Sequence, residues 1–148
     1  MHACAVTLSA QRICPTGELT RTIVSTFLGA SVTIKWSTAQ SRAAVNQILI
    51  RNPKESARCD VAAKEILPIA RKQDPVAKIL KIRPPAALVP LILSPKVSVG
   101  GNRWSFHVAV ETAAHCVDAL TQVDGTEVDQ YLEKYFNYAD VLEMGPYE

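Results

Sequence analysis

The spacing of apolar and polar residues changes period along the chain. The segment STAQSRAAVNQILI opens with capping residues and carries apolar side chains at helical spacing. It predicts a helix from about Thr38 to Ile50, stopped by Asn52-Pro53. The next segment, KESARCDVAAKEILPIARKQD, places Val61, Ala62, Glu65, Ile66 and Ile69 on one helical face, with Ser56 as its cap. Pro68 inside that pattern predicts a kink or an early end, and Asp74-Pro75 a stop. The pattern then shortens to that of strands. VAKILKI predicts one strand, AALVPLIL a second that its prolines place at an edge or interrupt, and SPKVSVGGN a loop jointed at Gly100-Gly101. WSFHVAVETAAHCVDAL reads as two short strands back to back. DGTEVDQYLEKYFNYADVLEM ends the chain as a helix, with a capping-box-like start at Thr126 and Asp129 and an apolar face of Val128, Leu132, Tyr135 and Phe136. Residues 1–22 are irregular, and the β-branched run to Trp36 admits two strands around Gly29 or a helix. Helix, helix, several strands, helix is the order of an α+β fold.

The two strands at residues 104–120 each hold a polar residue that a plain strand does not need: His107 and Asp118. With Thr112-Ala113 at the tip of a tight turn, Val110 faces His115, Ala109 faces Cys116, and His107 faces Asp118. Opposed residues share a face, with Cβ atoms about 4.5–5.5 Å apart. Phe106, Val108, Val110 and Val117 then point into a core. His107, Ala109, Cys116 and Asp118 point the other way, where the small residues leave room for an approaching group. A carboxylate beside an imidazole holds it in one tautomer and stabilises its charged form.

Such a pair becomes chemistry with a nucleophile. Cys59 is the candidate, because it stands at the start of the second predicted helix, where the dipole, unpaired N–H groups and neighbouring Arg58 favour a thiolate and a nearby oxyanion. Cys116 beside His115 is a competing dyad, but neighbours in a strand point to opposite faces. Cys4 and Cys14 lie in the irregular region. The cysteines form no C-x-x-C pair and no disulfide-scaffold spacing, so a zinc site is not expected, and nucleophilic chemistry at Cys59 needs no metal or organic cofactor.

Composition narrows the partners. At 148 residues and 48 % hydrophobic, the chain is expected to fold as one domain, 1–148. Its charge is lopsided: residues 1–103 hold 15 Lys/Arg against 5 Asp/Glu, and residues 104–148 hold 1 against 9. The simplest consequence is attraction between the halves within one fold, with a charged face for a partner as the other. Only 6 % of residues are aromatic and no base-reading motif occurs, which argues against nucleic acid. No apolar run is long enough to span a membrane, and MHACAVTLSAQR lacks the basic start of a secretory signal.

A cysteine opening a helix, then a strand with histidine, then an adjacent strand with aspartate resembles the papain-like cysteine hydrolase superfamily. ARCDVAAKEI, WSFHVAVE and HCVDAL are most similar to the small papain-fold toxin domains of bacterial polymorphic toxin systems, over roughly Ser56 to Phe136. The resemblance implies a papain-like core over residues 54–148, an antiparallel sheet packed against the nucleophile helix, and residues 1–50 without an assigned role. It implies Cys59 as nucleophile, His107 as general base and acid, and Asp118 as the orienting residue. The reaction would be attack on an amide or thioester carbonyl: proteolysis, glutamine deamidation or acyl transfer. A toxin of this kind is cytoplasmic when made, is delivered by a secretion system to a protein substrate in a target cell, and often has a cognate immunity protein. Larger papain enzymes carry a glutamine upstream of the cysteine for the oxyanion. Here Gln47 and Asn52 are near but at other offsets, and Trp104 can wall a substrate groove. Two further readings remain: a catalytically inactive binding, immunity or adaptor module, and a peptidoglycan amidase or endopeptidase.

Overall fold

The computed structural model describes residues 33–88 and 92–148. The expectations for residues 1–22 and for most of the β-branched run after them lie outside the described residues. The first helix, α1, spans Ala39–Arg51, and its N-cap Thr38 accepts the Ser41 N–H at 2.9 Å through its hydroxyl. Asn52 ends it by folding its own side-chain amide back onto the Ile48 carbonyl at 3.0 Å. A 3₁₀ turn over Lys54–Ser56 follows, then Ala57 in the left-handed region at φ 54°. That bend separates Ser56 from the second helix, α2, which spans Cys59–Arg71. Ser56 is therefore not its cap: its hydroxyl donates to the Pro53 carbonyl at 2.7 Å, and Arg58 holds the N-cap with no capping side-chain bond. The helix runs past Pro68 to Arg71.

Five strands make one antiparallel sheet: β1 Lys78–Arg83, β2 His107–Glu111, β3 His115–Val117, β4 Thr126–Glu127 and β5 Glu143–Pro146, in the order β4-β3-β2-β1-β5. With helix α3, Val128–Tyr135, they complete an α+β fold. Two expected elements change. The described part of AALVPLIL is a 3₁₀ turn at Ala86–Leu88, with Leu93 making an isolated bridge to Trp104. The closing helix is eight residues long. Thr126 lies in β4, where its hydroxyl meets that of Tyr135 at 3.1 Å, so no capping box forms. Phe136 returns to extended backbone, Tyr138 takes a left-handed φ of 59°, and the chain comes back along β1 as β5.

Strand alternation divides the core in two. Val108, Val110 and Val117 pack with Val45, Ile48, Ala62 and Ile66 under α1 and α2. Ala109 and Cys116 share the opposite face with Leu80, Ile82, Trp104, Tyr131 and Phe136. The small residues on that face thus make space for aromatic side chains from α3 and beyond, and not for an approaching substrate. Both Ala109 and Cys116 are fully buried.

The hairpin pairing also departs from expectation. Val110 opposes Val117, Glu111 opposes Cys116, and the Thr112 N–H donates to the His115 carbonyl at 2.8 Å. The tip is therefore Ala113-Ala114, and every pair is displaced by two residues. Hydrogen bonds from within the hairpin and from outside it fix that tip. The Thr112 hydroxyl bonds both main-chain groups of His115 at 3.0 Å, and Asp74 accepts the Ala113 N–H at 2.6 Å. An even displacement leaves each residue on its predicted face, so His107 and Asp118 still meet, now diagonally. Removing the buried Thr112 hydroxyl with Thr112→Val is expected to cost about 1–2 kcal/mol in urea unfolding, with an unchanged slope. A loss under about 0.5 kcal/mol would show that the turn does not depend on it.

Candidate active site

Asp118 leaves β3 into a tight turn. Its Oδ1 accepts the N–H groups of Leu120 and Thr121, each at 2.8 Å, and its own N–H donates to the Thr121 hydroxyl at 3.0 Å. The carboxylate is thereby fixed before it reaches the imidazole. Its Oδ2 pairs with His107 Nε2 at 2.7 Å and accepts a short hydrogen bond from the Tyr131 hydroxyl. Aspartate, histidine and tyrosine are all buried. Burial raises the carboxyl pKa, but the bonds and charge of His107, the Tyr131 hydroxyl and the Thr121 N–H outweigh it, leaving Asp118 below its ordinary value. Burial and the neighbouring carboxylate push the Tyr131 phenol well above its ordinary value, so it stays a donor.

His107 is the centre of the group. Trp104 stacks on its ring, with centroids 4.7 Å apart and planes 10° from parallel, and Phe136 leans on it at 6.0 Å. Burial opposes charging the imidazole. The Asp118 bond and charge, with the nearby Cys59 thiol adding to them, overcome that and raise its pKa to about 9. Since Nε2 is engaged by Asp118, Nδ1 is the nitrogen left for the thiol. Nδ1 has no hydrogen-bond partner among the described residues, and Cys59 lines the same cavity.

Cys59 is the first residue of α2 and is partly exposed. It lines a cavity of about 10 Å³ with His107, Trp104, Asn52, Ala57 and Ala119. The structure thus brings Cys59, His107 and Asp118 into one continuous group, with Trp104 and Asn52 beside it. Gln47 stays apart, exposed on α1 and outside the cavity lining. Asn52 is present with the unexpected end forward: Nδ2 is spent on the Ile48 carbonyl, leaving Oδ1, an acceptor, unpartnered. It cannot donate to an oxyanion in this arrangement. Cys116 is a poor nucleophile, since burial, then the charges of Asp118 and Glu111, push its thiol pKa far up. A larger cleft of about 600 Å³ passes Ala113, His115, Val128 and Leu132 and includes none of the three grouped residues. No group of three His, Cys, Asp or Glu able to hold a metal occurs among the described residues.

Tyr131 and Thr121 belong to this site and were not singled out from the sequence. A signal existed for Tyr131: it stands four residues before Tyr135 on α3, and a buried phenol requires a polar partner.

The pKa shifts have opposite consequences for stability. His107 is raised above its ordinary 6.5, so its contribution is complete below about pH 6.5 and is lost as pH rises through about 9. Asp118 is lowered below 3.8, so its contribution is present above that pH and is lost on acidification. In urea unfolding, the stability advantage of wild type over His107→Gln should shrink between pH 6.5 and 9. Parallel curves across that range would contradict the coupling. Searches for similarity leave this site to its own geometry: no family model, no curated protein and no solved structure matches the chain.

Proposed function

We propose that the chain is a papain-like cysteine hydrolase or acyltransferase acting on amide or thioester bonds, working as a bacterial toxin or effector domain. The observation carrying the chemistry is that Cys59 and His107 line one cavity while Asp118 holds the far nitrogen of the same ring. With Nε2–H bonded to the carboxylate, the ring is held charged, and the proton given up by Sγ rests on Nδ1. Sγ then attacks the carbonyl carbon. The oxyanion forms near the first N–H groups of α2, where no side chain caps the helix. Nδ1–H then protonates the departing nitrogen or sulfur as its bond to carbon breaks. The resulting thioester passes its acyl group to water or another acceptor, whose proton returns to Nδ1 as Sγ is released.

The effector part rests on the resemblance of ARCDVAAKEI, WSFHVAVE and HCVDAL to papain-fold toxin domains. Among the described residues no helix is long and apolar enough to cross a membrane. A protein substrate in the target cell and a cognate immunity protein are the partners this reading calls for.

Growth of bacteria expressing the chain in the cytoplasm tests both parts together. Wild type and Cys116→Ala should slow growth, while Cys59→Ala and His107→Ala at matched expression should restore it. Equal growth of all four strains removes the cytoplasmic-toxin reading and favours the binding-module alternative. Toxicity only on export to the periplasm would favour a cell-wall amidase.

A further inference from the structure

Three buried side-chain polar atoms among the described residues have no hydrogen-bond partner: Asn52 Oδ1, Trp104 Nε1 and His107 Nδ1. Buried polar groups are ordinarily paired, because an unmet donor or acceptor in the interior is costly. All three belong to residues lining the cavity that holds Cys59. Asn52 is 2 % exposed, Trp104 7 % and His107 1 %. Nδ1 faces the thiol chemistry described above. The remaining two are a matched pair, one donor and one acceptor. The Trp104 indole N–H can only donate, and Asn52 Oδ1 can only accept while Nδ2 is bonded to the Ile48 carbonyl.

A donor and an acceptor beside a nucleophile complement the two ends of an amide, its C=O and its N–H. Size selects among amides. The cavity of about 10 Å³ is near the volume a single water requires, and Ala57, Asn52, Trp104 and Ala119 close around it. An amide nitrogen continued by a polypeptide has no room there, whereas –NH₂ does.

Resting on the reading of Cys59 as nucleophile, we propose that Trp104 Nε1–H and Asn52 Oδ1 recognise an unsubstituted carboxamide, the group at the end of a glutamine side chain, and that the reaction is deamidation. Sγ bonds to the amide carbon, and the C–N bond breaks as Nδ1–H protonates the nitrogen, releasing ammonia and a thioester. Water then adds to the thioester, giving a carboxylic acid and the free thiol. No oxidant or other co-reactant enters.

Alkylation of Cys59 measures this recognition without the natural substrate. Iodoacetamide carries a primary amide next to its reacting carbon. N,N-dimethyl-2-iodoacetamide carries the same carbonyl with no N–H. Methyl methanethiosulfonate has no carbonyl. Rates at Cys59 are followed by mass spectrometry on the full chain, each divided by the rate with glutathione. Wild type should favour iodoacetamide over the dimethyl reagent by about tenfold, the worth of one hydrogen bond. Trp104→Phe keeps an aromatic ring over His107. It should slow both amides about tenfold and leave the methanethiosulfonate rate within about twofold, which a general disturbance of the site would not do. Asn52→Ala should abolish the preference for the primary amide. A flat normalised series in wild type, or Trp104→Phe behaving as wild type, overturns the inference. The absolute rates separate the two levels: a flat series with Cys59 still far faster than glutathione removes only amide recognition. A flat series at the glutathione rate removes the nucleophile reading too.

Discussion

The buried contact between His107 and Asp118 is the constraint around which the sheet and its second face are arranged. Removing an ion pair from water is expensive, and the mutual attraction offsets that expense only if the remaining hydrogen-bonding positions are filled. Asp118 meets this condition, with two backbone N–H groups on Oδ1 and the Tyr131 hydroxyl sharing Oδ2 with the imidazole. Each donor comes from a different constraint. The turn after β3 supplies the amides, β2 the histidine, and α3 the tyrosine. The position of α3 on the sheet is therefore tied to the charge state of the pair, and loss of either partner would leave a buried group without its counterpart. The aromatic rings of Trp104 and Phe136 complete the enclosure.

Much of this was legible because strands have a period of two. The alternation in FHVAV and HCVD assigned faces correctly even though the turn was placed one residue early, since moving its centre by one residue displaces each pair by two. The information that set the turn was not local. Thr112 bonds to His115, but Asp74, distant in sequence, also holds the Ala113 N–H, and no pattern within the hairpin announces it. Helix α1 was readable from its cap and from Asn52-Pro53. The sequence places the cap of α2 at Ser56, and the structure moves it because Ala57 is left-handed, a conformation that alanine seldom signals. The closing helix was overextended for a similar reason: NYADVLEM has no strong breaker, and its last part is drawn into the sheet by pairing with β1.

For the site, the residue types pointed to chemistry and the fold supplied the roles. Cys59, His107 and Asp118 were recoverable from order and face. Tyr131 and Thr121 were not, because their function is to satisfy a carboxylate whose burial only the tertiary structure reveals. The sequence offers Asn52 as a donor, and the fold presents it as an acceptor, a reversal caused by a single bond to the Ile48 carbonyl. The charge asymmetry has a simple expression at the surface. Arg42 with Asp124, Lys78 with Glu111 and Arg83 with Glu143 join the basic and acidic parts of the chain, each pair exposed enough to contribute modestly.

The proposed chemistry requires His107 to be held charged at neutral pH by a buried carboxylate. Nitrogen NMR of the ¹⁵N-labelled histidine ring observes this state directly, because the two ring nitrogens have different shifts in the neutral and charged forms. At pH 7.5 both His107 nitrogens should carry protons, with a titration midpoint near 9 that falls in Asp118→Asn. A neutral ring at pH 7.5, titrating near 6.5 in both proteins, would contradict the account.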